Sequence, residues 1–242
     1  MRLEVDIGNT FLKWRVVDQQ EVVAKGACLT QQIDHTVFAD VQAFAIDKVL
    51  IGSVAGHEIN AALEVMVEAI FGFKPLFAKV TASCSGVVNS YVDPSKMGVD
   101  RWLAMVAAYK QAGSRVAVVD CGSAITVDYV SAQGEHEGGY IIPGLRLMRE
   151  ALLKNTAQVR FDPLNSSFTT APGKSTAQAV EGGTAFVFQA LAEKLAKDLH
   201  DPNNTKLYIT GGDGALLSSL MGVGEYNEAL VLDGLAWVCS DA

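Results

Sequence analysis

The chain has 242 residues, half of them hydrophobic and 19% charged, with a formal net charge of −8. That is globular composition with ample apolar material for a core, enough for one large domain or two of about 100–130 residues each. The acidic balance and the lack of a basic block speak against nucleic acid as a partner, and an anionic substrate would need local positive groups or a metal.

Three short β-branched runs open the chain, at 2–6, 11–17 and 21–27. Residues 31–43 read as a helix, 48–54 as a buried strand, and 58–71 as an amphipathic helix with acids between apolar positions. A strand is expected at 75–80. After a polar loop, 98–113 reads as a helix closed by Gly113. Then the pattern restarts. "RVAVVDCGSAITVDYV" (115–130) repeats the order of "RLEVDIGNTFLKWRVV" (2–17): strand, Val-Asp-x-Gly, a small polar residue, second strand. The two acids, Asp6 and Asp120, are 114 residues apart. A duplicated topology would give this pattern. So would the general preference of strand-to-turn junctions for Asp and Gly. The spacing divides the chain at 113/114.

The second half is expected to continue with a strand at 136–141, a helix from Pro143, an irregular loop at 160–173 and a long helix at 175–199. Gly182 and Gly183 in that helix imply close packing. A strand at 206–212 ends in glycines, and 228–239 reads as a short strand and a helix.

The four cysteines form no CxxC pair and read as reduced, buried thiols. The histidines form no zinc-binding pattern. The start "MRLE" is not a signal peptide, and no apolar run is long enough to span a bilayer, so the expected location is the cytoplasm.

"DIGNT" (6–10) can be a plain turn. It can also be a nest of backbone N–H groups for phosphate at Gly8-Asn9-Thr10, with Asp6 holding Mg²⁺ or its waters and Lys13 a nearby positive charge. Its pairing with "DCGSAIT" (120–126) favours the second reading. "APGKST" (171–176) imitates a P-loop, but that motif requires glycine at 168, which is Phe. In "GVDRW" (98–102), Asp100 and Arg101 fall in a first helical turn. They are either ordinary helix-start residues, or a proton acceptor beside a fork that grips a substrate carboxylate. Tyr91 upstream is either a lining residue of the same pocket or a surface tyrosine.

Taken together, "DIGNT", "GVDR", "DCGSAIT", "GGYIIPG" (138–144), "GKSTAQAVEGG" (173–183) and "TGGD" (210–213) resemble, in order, the motifs of type III pantothenate kinases. Any one is weak; the ordered set covers nearly the whole chain. The resemblance implies an α/β fold of two ribonuclease-H-like halves, as in actin, sugar kinases and heat-shock ATPases, with mixed central sheets flanked by helices. It implies ATP-dependent phosphorylation of pantothenate, the first step of coenzyme A synthesis. By match to the family motifs, Asp100 is the general base, and Gly98, Val99, Asp100 and Arg101 bind pantothenate with Tyr91. Asp6, Ile7, Gly8, Asn9, Thr10, Phe11, Leu12 and Lys13 wrap the ATP phosphates, with Asp6 near Mg²⁺. Asp120 matches a monovalent-cation ligand, K⁺ or NH₄⁺, and Ser123 an ATP contact. Thr176 matches a substrate contact supplied in relatives by the other subunit of a homodimer. Ser123 stands where the family usually has Thr, and Lys13 is not uniform among its members. Three rival readings remain. Another small-molecule kinase or phosphatase of the same fold need not keep "GVDR". A non-catalytic nucleotide-binding accessory factor could lose Asp6 or Asp100, both present here. A filament-forming actin relative needs far more chain.

Overall fold

A computed structural model describes residues 1–155, 168–199 and 205–240. The chain forms two compact units. One comprises Met1–Ser114, Val130–Glu137 and Ala229–Ala242; the other comprises Arg115–Tyr129 and Gly138–Glu228.

In the first unit, β1 (Arg2–Ile7), β2 (Phe11–Asp18) and β3 (Glu21–Leu29) form an antiparallel meander. β4 (Lys48–Ser53) returns parallel to β1, and after α1 (His57–Phe71) the short β5 (Leu76–Phe77) pairs with β4. The sheet order is β3-β2-β1-β4-β5. Leu3, Val5 and Ile7 alternate onto one face, as the period of a strand demands, and join Leu12, Trp14, Val49, Ile51, Leu63 and Val67 in a core. A hairpin of β6 (Ser83–Cys84) and β7 (Val87–Val88) precedes α2 (Val99–Ala112). Gly113 in the left-handed conformation caps α2.

The second unit repeats the plan. β8 (Val116–Cys121) and β9 (Ala124–Val130) are joined by Gly122-Ser123 alone. A connection this short permits only antiparallel pairing. β10 (His136–Pro143) leads to α3 (Leu145–Asn155); α4 (Thr176–Asp198) precedes β11 (Lys206–Thr210), α5 (Gly214–Met221) and β12 (Glu225–Tyr226). The sheet order is β10-β9-β8-β11-β12, with β11 parallel to both neighbours. Strand by strand, this is the order of the first sheet. The repeat visible in the sequence is therefore a repeat of topology. α6 (Leu230–Val238) belongs to the first unit and packs on α2 so closely that a Cβ at Gly234 would stand 2.2 Å from the Leu103 carbonyl oxygen.

Several expectations from the sequence need correction. Residues 31–43 are not a helix: the Asp34 carboxylate accepts from the backbone N–H and hydroxyl of Thr36 at 2.8 and 2.6 Å, and that local turn replaces helical bonding. Only 3-10 turns at Thr30–Gln32 and Ala39–Val41 form there. The strand at 75–80 shrinks to two residues. Pro143 ends β10, and the helix expected from it begins two residues later at Leu145, after the Gly144 N–H has donated to the Ser123 carbonyl at 3.0 Å. The strand at 206–212 stops at Thr210, where Gly211 turns to φ +87°. No strand lies within 228–239; β12 is upstream. A Cβ at Gly182 would come within 2.7 Å of the Ala171 oxygen, but at Gly183 it would meet open space, so only the first glycine reflects close packing. Cys28 is half-buried, whereas Cys84, Cys121 and Cys239 are buried. Most of the loop expected at 160–173 lies outside the described residues.

Candidate active site

The sequence-derived candidates divide between the units. Residues Asp6 to Lys13, Tyr91 and Gly98 to Arg101 belong to the first; Asp120, Ser123 and Thr176 belong to the second.

At the first hairpin, Asp6 is the penultimate residue of β1, directly opposite Lys13 on β2 and Gly52 on β4. The tip is drawn tight by the Gly8 N–H donating to Phe11 O at 2.9 Å. Thr30 braces it from β3's end: its hydroxyl donates to Gly8 O at 2.8 Å and its N–H to Thr10 O at 2.9 Å. Asn9 and Phe11 are exposed, and Asp6, Gly8, Thr10 and Lys13 are half-buried. Ile7 and Leu12 have no exposure at all. Their side chains are core, so any part they take in holding a ligand falls to the backbone.

Gly98 ends the polar loop at the N-terminus of α2. The Asp100 carboxylate turns back over this helix end and accepts from the Arg101 N–H at 2.8 Å. Val99 is buried, with its side chain turned to the core. Arg101 is only 6% exposed; its Nη1 donates to the Tyr91 hydroxyl at 2.9 Å, and its guanidinium carbon stands 5.7 Å from the centre of the Tyr91 ring. The structure thus brings the half-buried Tyr91 and Arg101 together.

The second hairpin has the same construction. Asp120 is penultimate in β8 and lies beside Thr210 of β11. The Gly122 N–H donates to Ala124 O at 3.0 Å. Gly211 lets its backbone pass close to the Asp120 carboxylate: a Cβ there would stand 2.4 Å from Oδ1, whereas one at Gly122 would make ordinary contact at 3.5 Å. The Asp213 N–H donates to Cys121 O at 3.0 Å, which brings a second acid to this strand end. Burial raises the Asp213 carboxyl above its ordinary value, against the opposing pull of Arg149. Burial and the two neighbouring acids, Asp120 and Asp213, push the Cys121 thiol up as well. Among the described residues no group of three or more His, Cys, Asp or Glu side chains is placed to hold a metal ion by itself.

Thr176 is the first residue of α4, after Ser175, whose side chain caps the helix by accepting from the Gln178 N–H. Thr176 is exposed and lines an open, apolar cavity of about 1040 Å³ between α3 and α4, with Leu147, Met148, Val180 and Val187.

Sequence reasoning missed Ser90, His136 and Asp213. Asp213 was visible inside "TGGD", but the approach of that turn to Cys121 was not. His136 and Ser90 carry no sequence signal, since their proximity is created by a chain segment that joins the first unit from 46 residues away.

The family model described as type III pantothenate kinase matches residues 2–198. A type III pantothenate kinase from Marinobacter nauticus is 36% identical over 240 residues, covering 99% of this chain and 98% of the relative. Among solved structures, a Baf family transcriptional activator from Campylobacter jejuni is similar with a TM-score of 0.60 and 22% identity, covering 99% of this chain and 98% of that one. A 2-dehydro-3-deoxygalactonokinase from Sinorhizobium meliloti is similar with a TM-score of 0.55 and 14% identity, covering 98% and 97%. At these identities the two structures speak for the fold alone. The family match and the full-length relative speak for more: this chain belongs to the type III pantothenate kinase family.

Proposed function

We propose that this protein transfers the γ-phosphoryl group of ATP to the primary hydroxyl of pantothenate, giving 4′-phosphopantothenate and ADP. The observation that carries the reading is the arrangement at the start of α2, where the Asp100 carboxylate accepts from the backbone N–H of Arg101 and the buried Arg101 guanidinium is held by Tyr91, in a chain whose full-length relatives are pantothenate kinases. Arg101 offers the substrate carboxylate a planar fork. Asp100 takes the hydroxyl proton as the oxygen bonds to the γ-phosphorus and the bond to the β-phosphate bridging oxygen breaks. Such transfer depends on alignment and charge neutralisation more than on covalent help from the protein.

In this reading the hairpin from Asp6 to Lys13 wraps the phosphates, chiefly through backbone groups, and Ser123 on the second hairpin contacts ATP. Asp6 is the residue present for Mg²⁺, through water; the ion supplies charge neutralisation on the phosphates. Asp120, at the end of β8 beside the Gly211 turn, is the residue for K⁺ or NH₄⁺ by its match to the family motif. The exposed apolar cavity between α3 and α4 supports a homodimer in which Thr176 reaches the partner's substrate. No described helix is long and apolar enough to cross a membrane; ATP use and reduced thiols fit the cytoplasm.

The test is ADP release with ATP, Mg²⁺, K⁺ and pantothenate, with mass spectrometry of the product. Asp100→Asn should cut turnover by about a hundredfold or more while leaving the fold intact. No phosphorylated product from the unaltered protein would overturn the activity, and near-normal turnover of the variant would remove Asp100 as the base.

A further inference from the structure

The first unit contains a buried histidine that the reaction as described does not use. His136 is 3% exposed. Its Nδ1 and the Ser90 hydroxyl oxygen are hydrogen-bonded at 2.9 Å. Its ring stacks on the Tyr91 ring, with centroids 6.1 Å apart and planes inclined by 29°. Two consecutive residues of the substrate loop, Ser90 and Tyr91, are thus both engaged by one imidazole. Tyr91 in turn accepts the hydrogen bond from Arg101.

His136 is itself firmly placed. The segment before it docks on β7, where the Val88 N–H donates to Gly134 O at 2.8 Å and Val88 bridges to Glu135. The Tyr109 hydroxyl of α2 donates to Ala132 O at 3.2 Å. A Cβ at Gly134 would stand 1.9 Å from Gly86 O, so the docking is at backbone contact distance. A flexible guanidinium gains little from a tyrosine hydroxyl unless the tyrosine ring is held. The Asn89 carboxamide oxygen fixes the Tyr91 backbone by accepting its N–H at 2.9 Å, and the imidazole faces the ring.

We propose that His136 is a positioning residue for substrate binding: it holds the Tyr91 ring, and through it the Arg101 guanidinium, in the orientation that receives the pantothenate carboxylate. This rests on the reading that Tyr91 and Arg101 bind pantothenate. His136 touches neither ATP nor the reacting hydroxyl in this role, so its loss acts on pantothenate affinity and not on the chemical step.

The experiment compares steady-state kinetics of His136→Leu, which keeps bulk but not the ring, and His136→Phe, which keeps a ring but not the bond to Ser90. Tyr91→Phe and Arg101→Lys are run beside them, and thermal melts check the fold. His136→Leu should raise KM for pantothenate about five- to tenfold, the size of a lost ring contact, with kcat and KM for ATP within about twofold. His136→Phe should recover most of that loss. The inference is overturned if Tyr91→Phe and Arg101→Lys raise KM for pantothenate but His136→Leu does not. It is also overturned if His136→Leu lowers kcat and raises both KM values together with no recovery in His136→Phe, the pattern of a purely structural residue. If Tyr91→Phe and Arg101→Lys leave KM for pantothenate unchanged, the assignment of these two residues to the substrate fails first, and the role of His136 falls with it.

Discussion

A Cβ added to Gly98 would stand 2.4 Å from Oδ1 of Asp100, closer than any real carbon–oxygen contact. The backbone at Gly98, φ −62° and ψ 133°, is open to every residue. The glycine is there for the carboxylate and not for the turn. Gly98→Ala should therefore fold normally and still lose activity, because the proposed base is pushed from its place on the helix end. Turnover should fall by about a hundredfold, the scale of a 1 Å misplacement. Kinetics with a parallel thermal melt checks this; an active Ala variant would show that Asp100 works from another position.

Glu4 is completely buried, on the face of β1 opposite the core of Leu3, Val5 and Ile7. It is tolerated there because Arg2 and Arg15 each reach it at 2.6 Å, and Arg15 also binds Asp233 of α6 at 2.7 Å. Burial alone would lower the Arg15 guanidinium's proton affinity, but Glu4 and Asp233 more than offset this and raise it. Arg15→Met removes one of two cations from a buried carboxylate and frees an anchor of the last helix. It should cost about 3 kcal/mol of unfolding free energy, read from a denaturant titration. A loss under about 1 kcal/mol would mean that Arg2 alone satisfies Glu4.

If a monovalent cation sits at Asp120, activity should be high in K⁺ or NH₄⁺ and weak in Na⁺ alone. Asp120→Asn should lose most of the activity together with its salt preference. The assay is ADP release in matched chloride salts. Equal rates in Na⁺ and K⁺ would remove the cation from this site.

The four thiols should separate by burial. In the native protein at pH 8 a thiol reagent should label Cys28 and leave Cys84, Cys121 and Cys239 until denaturant is added. Burial, with Asp34 nearby, raises the Cys28 thiol above its ordinary value, so its labelling should still be accelerating at a pH where a free thiol has levelled off. Burial holds the Cys239 thiol up at about 11, which leaves almost no thiolate at pH 8. Labelling of a second cysteine at the rate of the first would show that one of the buried three opens readily.

The sequence by itself determined the parts of this protein that are local. Period-two alternation placed Leu3, Val5 and Ile7 on one face of a strand, and the spacing of Asp6 and Asp120 disclosed a topology used twice. The glycine-bearing tips "DIGNT" and "DCGSAIT" were legible for the same reason: a turn's demands fall on adjacent residues. What failed was also local in cause. Residues 31–43 read as a helix, but Asp34 bonding to Thr36 wins over it. What only tertiary structure decided is which distant residues meet. Nothing in "QGEHEGG" announces that His136 will lie against Tyr91, and nothing in "VLDGLAW" announces that Asp233 will hold Arg15. Those pairings arise because segments 130–137 and 229–242 leave their neighbours in sequence to complete the first unit. Docking of that kind is set by backbone approach at Gly134 and Gly234 and by buried charge at Glu4, and neither leaves a periodic mark on the chain.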